Sequence, residues 1–202
     1  MSKTMTGPDG LVRCGWCAQT TEFIDYHDRE WGFPVDDDIR LFEKLCLESF
    51  QSGLSWRTIL AKRENFRQAF AGFDFNKMVK FDHQDVERLL QDAGIIRHRG
   101  KIEAVINNAK RAQELVGEAG SLAAYFWQFE MLADDDFVPQ SASTSTQSIT
   151  LSKELKKRGW KFVGPTTVYS FMQAMGLVND HALDCVGRKA VMHARETFQK
   201  PV

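Results

Sequence analysis

The chain is poor in the features that mark a membrane or secreted protein. Nowhere in its 202 residues does an apolar run reach the length needed to span a bilayer, and the opening MSKTMTGPDGLVR lacks the apolar core of a secretion signal. The expectation is a cytoplasmic protein with no membrane partner. Cysteine is scarce: four thiols form at most two disulfides, and in a reducing compartment a metal site, a redox pair or plain buried thiols take precedence. Alternation of apolar and polar residues is nowhere long enough to build a sheet. Only 33–35 and 160–163 hint at extended backbone, so the fold class expected is all-α. A repeat of fixed period and a dividing linker are absent too. The net charge of −1 selects no partner by itself. Charge is segregated instead, with DDD at 36–38 and 134–136 set against RHRGK at 97–101 and KELKKRGWK at 153–161.

What is present centres on LFEKLCLESFQSGLSW at 41–56. On a helix, Leu41, Leu45 and Glu48 share one stripe, and Phe42, Cys46 and Phe50 form a second beside it, which puts Glu48 at the edge of an apolar face. Gly53 releases the backbone from helical geometry and Ser55 can cap a second helix, so Leu54 and Trp56 are presented at a corner. A carboxylate and an indole facing one cavity suit a flat, electron-poor ligand. Taken alone, the same stretch also reads as a solvated or ion-paired acid beside a core tryptophan.

Helix punctuation continues along the chain. Asp82 caps a helix with Val86, Leu89 and Leu90 on its apolar face and Gly94 as its stop; after IIRHRG, a second helix runs from Lys101 to Val116. The result is helix, glycine-bounded hairpin, helix. Ser121 opens a short aromatic helix through Phe126 and Trp127, and DDDFVPQSASTSTQSIT reads as a loop. A basic helix spans Ser152 to Arg158, closed by Gly159. Gly164-Pro165 starts another, with Val168, Phe171, Met172 and Met175 buried and Gly176 at its end, and a last helix is expected from His181.

Three constellations carry possible chemistry. Cys14, Cys17, His27, His181 and Cys185 form a metal-ligating set in which His181 and Cys185, spaced i,i+4, fall on one helical face; a Cys2His2 zinc would staple the chain ends together. Unrelated buried thiols and surface imidazoles remain an equal reading of that pattern. Cys14-Gly-Trp-Cys17 also reads as a dithiol redox motif, but no strand-helix-strand context follows it, and His83, His98 and His193 stand alone as surface residues. The hairpin DAGIIRHRGK can hold a phosphate with its backbone N–H groups and basic flank, which favours DNA over an ordinary helix corner only with support from elsewhere. Finally, Trp16, Phe23, Tyr26, Trp31, Phe33 and Trp56 are core aromatics or, stacked on a cationic base, a cation–π pocket.

The strings RCGW at 13–16, YHDREWG at 26–32, LFEKLCLESFQSGLSW at 41–56, QDAGIIRHRGKIEAVINNA at 91–109 and KKRGWKFVGPTTVYSFMQAMGLVNDH at 156–181 resemble the 3-methyladenine DNA glycosylase I family of the helix-hairpin-helix glycosylase superfamily. The resemblance runs in chain order from about Val12 to Cys185. It implies two helical lobes whose termini join at one structural zinc held by Cys14, His27, His181 and Cys185. It implies Glu48 as the catalytic carboxylate that hydrogen-bonds the methylated adenine, with Tyr26 and Trp56 lining the pocket and Trp16 and Trp31 nearby. Gln51 and Leu54 match the loop that enters the duplex as a wedge, while Gly94, Arg97, Arg99, Gly100 and Lys101 belong to the hairpin that binds the DNA backbone. The implied partner is double-stranded DNA containing alkylated adenine, the product is free 3-methyladenine, and the protein is expected to be a monomer.

The same resemblance sets the expected organisation: 1–11 a flexible extension, 12–190 one glycosylase domain with a central lobe at about 40–128 and a second lobe from both termini, and 191–202 a tail. A base methylated at N3 is positively charged and its glycosidic bond is already weak, so recognition and extrusion matter more than protonation. Between Val116 and Ser121 the only acid is Glu118, and no lysine is placed as a nucleophile, so no strand cleavage is expected. Cys17 departs from the pattern as a spare thiol. VGRKAVMHARETFQKPV after Cys185 is expected to be a surface helix. The competing readings are a damage-binding module of the same fold without excision, and a thiol redox protein built on Cys14 and Cys17.

Overall fold

The computed structural model describes residues 4–132 and 137–202. The order of elements is β1 (Thr4–Thr6), β2 (Val12–Cys14), α1 (Thr21–Arg29), α2 (Asp38–Gln51), α3 (Trp56–Ala61), α4 (Arg63–Ala69), α5 (Phe75–Met78), α6 (His83–Gln91), α7 (Arg99–Ala119), α8 (Leu122–Phe126), α9 (Thr146–Lys157), α10 (Pro165–Ala174) and α11 (Val186–Thr197). The architecture is helical, with one two-stranded antiparallel sheet pairing Thr4 with Cys14 and Thr6 with Val12. Among the described residues no helix is long and apolar enough to cross a membrane.

Helix α2 is the axis of the molecule. Asp37 caps it by accepting from the Arg40 N–H at 2.8 Å, and every residue from Leu41 to Phe50 is buried. A helix buried on all sides must be surrounded, and α2 packs against α3, α7, α8 and α10. Three charged side chains, Glu43, Lys44 and Glu48, are carried inside with it. Burying them requires partners: Arg67 on α4 bonds Glu43 at 3.0 Å, and Lys44 pairs with Glu48 at 2.8 Å. The helix stops at Gln51, and Gly53 adopts φ +78, the left-handed conformation that turns the chain into α3.

The helix-hairpin-helix unit is α6 and α7. Asp82 and Asp85 cap α6 reciprocally, as the capping signal implies. The helix ends at Gln91, three residues before Gly94, which is therefore not its left-handed stop. Gly94 is needed for room instead, because a Cβ there would lie 2.9 Å from Asp92 Oδ1 and 3.1 Å from Asn65 Nδ2. His98 caps α7, its Nδ1 accepting from the Lys101 N–H at 3.2 Å, so the second helix begins two residues earlier than its apolar pattern suggests.

Three further expectations are corrected. A strand lies inside the stretch read as an extension, and it was invisible because three-residue strands are too short to show alternation. His181 and Cys185 are not on a helix: they flank the turn before α11, which starts at Val186 with Cys185 as its N-cap. Helix α9 starts at Thr146, inside the polar segment read as a loop, through a capping box between Ser145 and Ser148; the acidic residues 134–136 of that segment lie outside the described residues.

Candidate functional site

The two ends of the chain meet in one buried cluster. Cys14 closes β2, His27 lies in the last turn of α1, and His181 and Cys185 precede α11; their ligand atoms all lie within 4.8 Å of one another. Cys14 Sγ is 3.7 Å from His181 Nδ1, which is 3.3 Å from Cys185 Sγ, itself 3.3 Å from His27 Nε2. Metal bonds of ~2.3 Å to sulfur and ~2.0 Å to nitrogen, opened to the tetrahedral angle, separate the two atoms by about 3.5 Å, so a tetrahedral ion fits this donor set. A hydrogen bond from Cys14, followed by those of His181 and His27, holds the Cys185 thiol well below its ordinary range against the opposing effect of burial, while that same pairing and burial push Cys14 up.

A second layer fixes both imidazoles. His27 Nδ1 is 2.7 Å from Asp28 Oδ1, and Asp28 is clamped in turn by the buried Arg13 at 2.9 to 3.0 Å. His181 Nε2 lies 3.1 Å from the Trp31 carbonyl, which leaves Nδ1 for a metal. The Ala182 N–H donates to Cys14 Sγ at 3.4 Å, and Gly187 leaves the space His181 occupies, since a Cβ there would lie 2.7 Å from its ring. Cys17 stands outside the four: its thiol donates to the Cys14 carbonyl at 3.1 Å.

Beside this cluster opens a cavity of about 480 Å³. Trp16, Tyr26, Trp31, Glu48 and Trp56, all five expected pocket residues, line it. Its back wall is shared with the cluster, because the Trp31 ring meets His181 at 4.6 Å and Trp16 at 5.1 Å. Tyr26 and Trp56 face each other at 5.6 Å and 45°. Burial pushes the Tyr26 phenol well above its ordinary range, so it stays protonated. Trp56 Nε1 is a buried donor with no hydrogen-bond partner.

Lys44 and Asp180 are among the charged residues of this region that went unread in the sequence. Lys44 bonds Glu48 Oε1 at 2.8 Å and the Tyr26 hydroxyl at 2.7 Å, and its ammonium lies 3.5 Å from the centre of the Trp56 ring. The i,i+4 spacing of Lys44 and Glu48 was the available signal. Asp180 lines the cavity too, accepting from the Gln140 N–H at 2.6 Å and from Gln173; burial raises its carboxyl above the ordinary range.

The expected DNA-facing residues separate into two groups. Leu54 is exposed on the corner between α2 and α3, and Gln51 braces that corner, its Nε2 donating to the Leu54 carbonyl at 3.0 Å. Arg97 is exposed in the hairpin, Gly94 lies in the same turn, and Arg99 and Gly100 open α7, with Arg99 paired to Glu87 at 2.7 Å. Lys101 differs from the expected phosphate contact: it is buried and donates to the carbonyls of Phe50 at 2.8 Å and Ser52 at 2.6 Å. A helix end leaves carbonyls without partners, and the ammonium of Lys101 satisfies those at the end of α2.

Comparison with known proteins agrees with this geometry. The family model described as methyladenine glycosylase matches residues 16–189. The DNA-3-methyladenine glycosylase 1 of Escherichia coli K12 is 49% identical over 179 residues, covering 87% of this chain and 96% of that protein. A crystal structure of a 3-methyladenine DNA glycosylase I superposes with a TM-score of 0.81 at 47% identity, over 86% of this chain and 98% of its own. Another structure, of 3-methyladenine recognition by the Staphylococcus aureus glycosylase, has a TM-score of 0.82 at 35% identity, covering 87% and 96%.

Proposed function

The chain belongs to the methyladenine glycosylase family, and from that premise we propose that it hydrolyses the N-glycosidic bond of 3-methyladenine in alkylated duplex DNA, releasing the free base and leaving an abasic site. It is a 3-methyladenine repair glycosylase. The observation that carries the site assignment is the buried Glu48 in an aromatic cavity beside a tryptophan donor without a partner. Structures of relatives were determined with a tyrosine replaced by phenylalanine in complex with 3-methyladenine, and with a glutamate replaced by glutamine. Among the described residues lining this cavity, Tyr26 is the one tyrosine and Glu48 the one glutamate.

In this reading the flipped base lies between the aromatic walls, and Glu48 accepts a hydrogen bond from it. Leu54 occupies the gap the base leaves, and the N-terminus of α7 receives a backbone phosphate, since Arg99 and Gly100 there have no intrahelical acceptor for their N–H groups. Hydrolysis without strand cleavage is part of the same proposal.

Zinc is the ion proposed for Cys14, His27, His181 and Cys185. Two thiolates and two imidazoles would fill a tetrahedral shell, so the ion would stabilise the junction of the chain ends and leave no open position for water. The cytoplasm is the proposed compartment, consistent with four free cysteines.

Incubation of the purified protein with methylated duplex DNA, followed by chromatography of the released bases, tests the activity. Free 3-methyladenine with little 7-methylguanine is expected. A folded protein that retains lesion DNA and releases no base would instead be a damage-binding module.

A further inference from the structure

The groups that line the base pocket already have a cation beside them. Lys44 lies one turn before Glu48 on α2 and is 6% exposed, with its ammonium 2.8 Å from Glu48 Oε1 and 2.7 Å from the Tyr26 hydroxyl. It also sits over the Trp56 ring at 3.5 Å and 5.0 Å from the centre of the Tyr26 ring. Yet Lys44 is not among the residues lining the cavity, so it acts on a bound base through the groups that do. Among the described residues, Lys44 is the ion-pair partner of Glu48. The pair is neutral as a unit. A carboxylate and two aromatic faces by themselves attract a cation. Here one carboxylate oxygen is taken, and the negative face of the indole is already answered by an ammonium.

We propose that Lys44 is a positioning residue that sets the charge selectivity of the pocket: by pairing with Glu48 and lying over Trp56, it narrows the preference for a cationic over a neutral purine. This rests on the base-excision reading above. With the carboxylate neutralised, shape and hydrogen bonds carry more of the recognition, and the affinities for the charged base and for the uncharged product converge.

The test measures dissociation constants of the full-length protein for two small ligands by tryptophan fluorescence: 3,9-dimethyladeninium, a fixed cation, and 3-methyladenine in its uncharged form. Lys44→Met removes the charge at similar length, Lys44→Gln removes the charge but keeps a donor for Glu48 and Tyr26, and Lys44→Arg keeps the charge. Both neutral variants are expected to shift the ratio of affinities about tenfold toward the cation, as loss of one nearby positive charge in a poorly solvated site implies, while Lys44→Arg stays near the parent ratio. If Lys44→Met fails to fold, Lys44→Gln decides. An unchanged ratio, with both ligands weakened equally, would overturn the proposal and leave Lys44 a purely structural partner. A parent protein that binds neither purine and releases no base would overturn the base-excision reading itself.

Discussion

The cysteine/histidine cluster and the cavity beside it share a wall in Trp31, yet they are finished to different degrees. In the cluster every donor is answered: each imidazole has a second partner, and Cys14 accepts from a backbone N–H. The cavity keeps about 480 Å³ of space beside the Glu48 carboxylate. Closure of this kind stabilises a fold, while a carboxylate beside an unfilled aromatic hollow is what a ligand completes. The difference fits a structural role for the first region and the recognition role proposed for the second.

That contrast can be broken in the cluster first. Cys185→Ala removes the thiolate on which the other ligands converge. It is expected to abolish metal binding and to lower the melting temperature by at least about 10 °C, measured by metal analysis and thermal unfolding. Retention of metal by that variant would refute the closed site. The hairpin offers a sharper, smaller test, because its two basic residues divide the same way. Lys101→Met strips the carbonyls at the end of α2 of their partner and should cost roughly 1–3 kcal/mol of stability. Arg97→Ala should leave stability intact and lower the salt dependence of DNA binding by about one counterion. The smallest effect belongs to Cys17→Ser, which lies outside the cluster: metal content unchanged and less than about 1 kcal/mol lost. Loss of metal in that variant would put Cys17 in the shell.

Much of the helical framework was legible because local signals agreed with the fold. The caps at Asp82, Ser121 and Gly164-Pro165 each start the helix they announce. The four cluster residues and the five cavity-lining residues were legible mainly through the family resemblance, since spacing alone left the metal set open and the His181–Cys185 pair proved to flank a turn. What stayed hidden depends on long-range contact. Lys44 looks like any exposed helical lysine until Tyr26 and Trp56, from other elements, close over it. Lys101 looks like a hairpin cation until the end of α2, some fifty residues earlier in the chain, claims it. The β1–β2 pairing was hidden for a simpler reason: each strand is three residues long.

The central claim is that Glu48 recognises the methylated base while the metal cluster only holds the fold. Its most direct test is base release from methylated duplex DNA by Glu48→Gln, with metal content and retention of lesion DNA measured on the same sample. The account predicts release reduced about a hundredfold, with metal and DNA binding preserved. Undiminished release of 3-methyladenine, or loss of the metal along with the activity, would contradict it.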